Sequence, residues 1–247
     1  LTDGRIWIRT GPRRALANAQ EERILNERRR YKNLPFDIYP VPSAQLSDLS
    51  KSVFENDYLP AAFAADVLAA NQRTYEERLA SCKMIQAPDE PVPTVLGLLA
   101  LGKNPQDFLP GAYIQFQRIA GSELADPVTD ALDMTGALIE VLHLAETKLK
   151  VHNRAAVDII SAPTHHVSKP YPDAALQQIL YNAVLHRSYS GTHTPIRLYW
   201  FDDRLEIHSP GGPYGQVTLT NFSQPGITDY RNPNIATVLR NLGFVQA

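Results

Sequence analysis

Apolar side chains recur along this chain with two periods, and the places where the period changes mark the predicted elements. Residues 4–9 (Gly-Arg-Ile-Trp-Ile-Arg) alternate polar and apolar, which predicts a short half-buried strand. Asn18 followed by Glu21 reads as an N-cap with its capping-box partner, opening a helix to about Tyr31. Pro35, Pro40 and Pro42 then break the pattern and mark a connector. Helical spacing resumes from Leu46 to about Met84, carried by Leu49, Val53, Phe54, Phe63, Val67, Leu68 and Leu79. Within it Pro60 is expected to separate helices and Asp57 is a candidate cap. Thr94 caps the apolar run Val95 to Leu101, which Gly102-Lys103-Asn104-Pro105 ends. Residues 112–119 alternate as a strand does. Asp126 or Thr129 is expected to start a long amphipathic helix reaching about Leu149, with Met134, Leu138, Val141, Leu142 and Ala145 on one face.

Past a connector bearing Pro163, Pro170 and Pro172, a helix is predicted from Asp173 to about His186, its apolar face formed by Leu176, Ile179, Leu180, Ala183 and Val184. Strands follow at Ile196 to Phe201 and Leu205 to His208. The short link Asp202-Asp203-Arg204 makes them a hairpin and therefore antiparallel. A glycine loop, Ser209-Pro210-Gly211-Gly212-Pro213, leads to an irregular stretch and a last helix beginning near Pro233. Helices and hairpins in this order predict an α+β fold.

Composition narrows the function more than the fold. A formal net charge of −2 with 20% charged residues gives no global electrostatic drive toward nucleic acid or membrane, so any such contact must be local. The one local basic cluster is Arg23, Arg28, Arg29, Arg30 and Lys32 near the end of the first helix. It either touches nucleic-acid phosphates or is a solvated face that offsets the helix dipole. A single cysteine, Cys82, excludes an internal disulfide framework and a cysteine-rich zinc site, and fits a reducing cytoplasm. No run approaches the ~18 apolar residues that span a bilayer, and the start has no signal architecture, so a cytoplasmic protein without a membrane partner is expected. The absence of an initiator Met and the close at Gly243 to Ala247 lead to the expectation of a piece of a longer protein. His165 and His166 lack a third metal ligand at sensible spacing. Gly97 and Gly102-Lys103 have P-loop spacing, but Asn104 stands where Ser or Thr would hold magnesium. No catalytic Ser-His-Asp or Cys-His spacing emerges, and no catalytic residue is assigned.

Three separated blocks carry a resemblance: Gln178-Ile-Leu-Tyr-Asn182-Ala-Val-Leu-His186-Arg187-Ser-Tyr189, Asp203-Arg-Leu-Glu206-Ile-His-Ser209-Pro-Gly211-Gly212, and Arg231-Asn232-Pro233. They are similar, in order, to the helix, strand and R-N-P of the C-terminal module in RecG-related, Schlafen/AlbA-type bacterial regulators. That module is GHKL (Bergerat) ATPase-like. Pro93-Thr94…Gly97…Gly102-Lys-Asn-Pro105 resembles the middle region of the same proteins, and residues 4–22 resemble the end of their AlbA-type domain. The resemblance implies residues 1–35 as a remnant of that domain, 36–165 as a mixed helical middle domain, and 166–247 as a truncated GHKL-like sandwich with an antiparallel sheet. It also implies a transcriptional regulator that associates with DNA or RNA, in part through a domain upstream, and that can form a homodimer.

For the site, an Asn on the inner face of a helix beside a glycine loop can hold magnesium bridging phosphates while loop N–H groups accept anionic oxygens. The candidate ligand-binding residues are Asn182 (also the metal ligand), Gln178, Arg187, Glu206, Ser209, Gly211 and Gly212, with ATP and magnesium as cofactors. Each has a plainer reading: Asn182 satisfies a neighbouring loop, the glycines turn the chain, and Arg187 anchors the helix end. Working members of the resembled family carry a Glu where this chain has Gln178, and an Asp where it has Ser209. An amide is no general base, so an inactive module serving as a ligand-binding or dimerisation scaffold is expected. The alternative is a nucleotide-gated switch or slow magnesium-dependent ATPase. The phosphate lid of that family would lie beyond Ala247.

Overall fold

A computed structural model describes residues 7–10, 13–18, 34–153, 156–157, 167–168, 170–222, 224, 226–227 and 229–244. The chain divides into two units, Leu1–Pro35 and Phe36–Ala247. In the first, β1 (Trp7–Thr10) pairs antiparallel with β2 (Arg13–Leu16), Trp7 facing Leu16 across the pair. The second strand was not among the expected elements. The predicted basic helix, with Arg23, Arg28, Arg29 and Arg30, lies outside the described residues, as do His165 and His166.

The second unit opens with short helices. Residues Val53–Tyr58 form a wide π-type turn that runs directly into α1 (Leu59–Ala62), so Pro60 sits inside a continuous helical segment instead of separating two helices. A proline ring crowds the carbonyl one turn back and offers no N–H, and the wider turn provides that room. After α2 (Ala65–Ala70), α3 (Tyr75–Ser81) starts at a capping box in which Thr74 Oγ1 accepts from Glu77 N and Thr74 N donates to the Glu77 carboxylate. In α4 (Val95–Leu101) every residue is buried, and Thr94 caps its first turn by accepting from Gly97 N at 3.0 Å. A Cβ on Gly97 would lie 2.0 Å from the Met84 carbonyl oxygen, so this helix packs directly on backbone and only glycine fits.

The sheet has the order β4-β3-β7-β8. β3 (Ile114–Ile119) pairs antiparallel with β4 (Val128–Met134), and β7 (Ile196–Trp200) pairs antiparallel with β8 (Leu205–His208). The centre is different: β3 and β7 run parallel, Ile114 beside Ile196 and Phe116 beside Leu198. The sheet is therefore mixed, not antiparallel as expected, because the two hairpins meet side by side after a long crossover. The fold is α+β, and the sheet joins strands from residues 114–134 with strands from residues 196–208 in one hydrophobic core.

β4 also corrects the expected helix start. Asp126 and Thr129 do not open a helix; residues 128–134 are a strand, and α5 (Leu138–His152) begins only after Gly136 at φ 115°. Val128, Leu132 and Met134 satisfy a period of two as well as a helical one, and the glycine was the signal that separated them. A two-residue pair, β5 (Ala156–Val157) with β6 (Val167–Ser168), precedes α6 (Asp173–His186). α5 and α6 cover the sheet face carrying Ile114, Phe116, Ile196, Leu198 and Trp200, and α7 (Pro233–Asn241) closes the unit. Trp200 is buried there, whereas Trp7 is half exposed. The opposite face carries Gln115, Gln117, Arg197, Tyr199, Glu206 and His208, the polar alternates of the same strands.

Candidate functional site

The three sequence blocks meet at the C-terminal end of α6. A helix leaves its last carbonyls without backbone partners, and here each finds a side chain. Ser209 Oγ donates to Ala183 O at 2.8 Å, Tyr189 Oη to Val184 O at 3.3 Å, and Asn232 Nδ2 to Leu185 O at 2.7 Å. Arg231 Nε donates to His186 O at 3.2 Å, and Asn232 Nδ2 donates again to Arg187 O at 2.9 Å. Arg231 also places a cation at the negative pole of the helix. Its Nη2 reaches Gly212 O at 2.9 Å, and Ser188 N donates to Pro210 O at 2.6 Å, so the glycine loop is tied to the same helix end. Gly211 has φ 116°, and a Cβ there would approach Ser188 N to 3.1 Å. Turning and close approach account for that glycine. Around Gly212 there is open space.

Asn232 is 1% exposed, and its Oδ1 has no hydrogen-bond partner among the described residues. It precedes Pro233 at the start of α7 yet spends its amide on α6. The cap of α7 comes instead from Asp37, buried 197 residues away in sequence from the Asn234 it binds: its carboxylate accepts from Asn234 N at 2.7 Å, Asn234 Nδ2 at 2.8 Å and Ile235 N at 3.1 Å. Lys83, which has a positive φ of 60°, donates through Nζ to Asn234 Oδ1. Sequence reading recognised R-N-P as a motif but gave Arg231, Asn232, Tyr189 and Asp37 no role. The available signal was a run of hydrogen-bonding side chains at the positions that flank two helix ends.

The predicted ligand residues are distributed unevenly about this junction. Gln178 and Asn182 lie on the exposed stripe of α6 with Ile179, and the amide of Asn182 makes no hydrogen bond among the described residues. Ser209 lies at the next turn, beside Ala183. Arg187 is 2% exposed; its guanidinium donates to Ser188 O and Thr194 O and covers the Tyr189 ring at 4.5 Å, and burial pushes its pKa down. That is the anchoring role, and no face of it is presented to a ligand. Glu206 lies on the far face of the sheet, opposite Tyr199, where it accepts from Arg204 Nε at 2.6 Å and pairs with His208 Nε2 at 2.9 Å. His208, then Arg204, hold its carboxyl below the usual range. Strand alternation explains the separation: residue 206 faces away from the helices that residues 205 and 207 face. So Ser209 and the glycine loop are tied to the C-terminal end of α6, Gln178 and Asn182 lie on its exposed stripe and not on an inner face, Arg187 is enclosed and Glu206 is elsewhere.

Chemically, the exposed stripe offers neutral amides and a hydroxyl. These groups can donate and accept hydrogen bonds but carry no charge. Among the described residues no group of three or more His, Cys, Asp or Glu is placed to hold a metal. No carboxylate stands at position 178 to take a proton from water. His186, at the end of the stripe, stacks on Tyr230 with ring centroids 5.8 Å apart, and burial followed by Arg231 pushes its pKa below 6.5.

Residues 193–247 match the family described as "Putative ATP-dependent DNA helicase recG C-terminal". The match takes in β7, β8, the glycine loop and α7, so this part of the chain is similar to that family's ATPase-like segment. Among solved structures, the DIP2311 protein from Corynebacterium diphtheriae is similar at 21% identity and a TM-score of 0.59, over 98% of this chain and 46% of that one. The likeness is one of fold, and the chain spans less than half of that protein's length. No curated protein matches the chain. Among the described residues no helix is long and apolar enough to cross a membrane.

Proposed function

We propose that this chain is the middle and C-terminal part of a nucleic-acid-associated bacterial transcriptional regulator, whose ATPase-like module works as a ligand-binding or dimerisation scaffold and not as an engine. The observation that carries this reading is the division of labour on α6. The residues of the three blocks are spent on fixing the helix end to the glycine loop, while the stripe where hydrolysis would need a carboxylate has Gln178. A hydrogen-bonding ligand can be held on such a stripe without turnover. The family match, to the C-terminal part of a putative ATP-dependent DNA helicase, supports the nucleic-acid association.

Isothermal titration with MgATP, paired with a phosphate-release assay, tests this directly. The scaffold reading expects no release above background. Micromolar MgATP binding that Asn182→Ala abolishes, accompanied by turnover, contradicts it and favours a nucleotide-gated switch. DNA and RNA retention by the chain, measured against salt, tests the nucleic-acid part, because phosphate contacts weaken steeply as counterions are added.

A further inference from the structure

We infer that the cavity beneath the Arg231 guanidinium is a binding site for a phosphate-sized oxyanion, apart from the exposed stripe of α6. The cavity has a volume of about 90 Å³, several times the ~10–15 Å³ that one ordered water requires. Its walls are Arg231 and Asn232, the segment Ser188 to Ser190, and the rings of Phe36 and Tyr214. Among the described residues no Asp or Glu lines it.

The walls offer mostly donors, with the unpartnered Asn232 Oδ1 as an acceptor among them. Arg231 is fixed by two hydrogen bonds, from Nε to His186 O and from Nη2 to Gly212 O, and by stacking over Tyr214 at 4.7 Å. A guanidinium has five N–H groups, so three remain, and among the described residues no carboxylate pairs with it. The Ser190 hydroxyl and the backbone N–H groups of Tyr189 and Ser190 donate to nothing among the described residues, while Ser188 Oγ donates to Ser190 O. The nearby Asp37 is taken up by its three bonds to the start of α7. Unspent donors and an unneutralised, pre-positioned guanidinium around a small polar cavity match a tetrahedral oxyanion, which accepts from every side. A free phosphate ion and a phosphate monoester share that chemistry.

Titration of the whole chain with inorganic phosphate, followed by calorimetry, tests the site, with AMP as a second arm. The expected result is saturable phosphate binding that Arg231→Gln weakens about tenfold or more, since a charge-assisted bond is lost. Ser190→Ala, an exposed hydroxyl whose loss leaves folding intact, weakens it about threefold. Tighter binding of AMP than of phosphate, with the same response to both substitutions, identifies a monoester as the occupant; equal or weaker binding identifies the free ion. Phosphate binding that responds to Arg231 and Ser190 but not to Asn182→Ala supports this cavity whatever MgATP does on the α6 stripe. Absence of saturable binding overturns the site. So does binding that survives both substitutions, or binding that only Asn182→Ala removes.

Discussion

The two regions of α6 that the sequence singles out together behave oppositely. At the C-terminal end, five successive carbonyls from Ala183 to Arg187 are each met by a side chain from elsewhere in the fold. On the preceding turns, Gln178 and Asn182 face outward. The residues of a family-like signature thus divide into those that build the junction and those that the junction presents. Buried polar groups that are fully paired specify geometry, whereas exposed ones can be exchanged at little expense to folding.

Breaking the built half has the largest expected effect. Asn232→Ala removes two bonds inside the core and leaves two carbonyls unmet, so a loss of about 2–4 kcal/mol is expected in urea unfolding. Asp37→Ala uncaps α7 from a distance and is expected to lose about 1–2 kcal/mol, with faster hydrogen exchange at Asn234 and Ile235 as the local readout. The pH response sharpens the comparison on a smaller scale. Because the folded state depresses the His186 pKa below 6.5, the unfolded chain takes up the proton first. The contribution of the neutral ring is complete above about pH 6.5 and declines as pH falls toward the folded value. Urea midpoints at pH 7.5 and 5.5 should therefore fall further in the natural protein than in His186→Gln. The smallest effect belongs to the presented half, where Gln178→Ala should leave stability within about 0.5 kcal/mol by the same unfolding assay.

Local pattern made much of this legible. The helix expected from Asp173 to about His186 is observed over Asp173–His186, and the hairpin strands expected at Ile196 to Phe201 and Leu205 to His208 appear as Ile196–Trp200 and Leu205–His208. Each rests on a periodicity confined to its own residues. Partnerships between distant residues were not legible. Nothing near Ile114 says that it runs parallel to Ile196, and nothing near Asp37 says that it caps a helix starting at Pro233. Glu206 shows the same limit: it is close to Ser209 along the chain, while strand alternation sends it to the other face. Asn182 and Asn232 look alike as motif residues, and only burial tells them apart.

That last pair gives the most direct measurement. Asn182→Ala and Asn232→Ala are the same chemical change at the presented and the built positions of one junction, and urea unfolding of both against the natural protein isolates the difference. The expected result is a gap of about 2 kcal/mol or more, with Asn182→Ala close to the natural protein. Equal losses from the two substitutions, or a larger loss from Asn182→Ala, would contradict the division of α6 into a built end and a presented stripe.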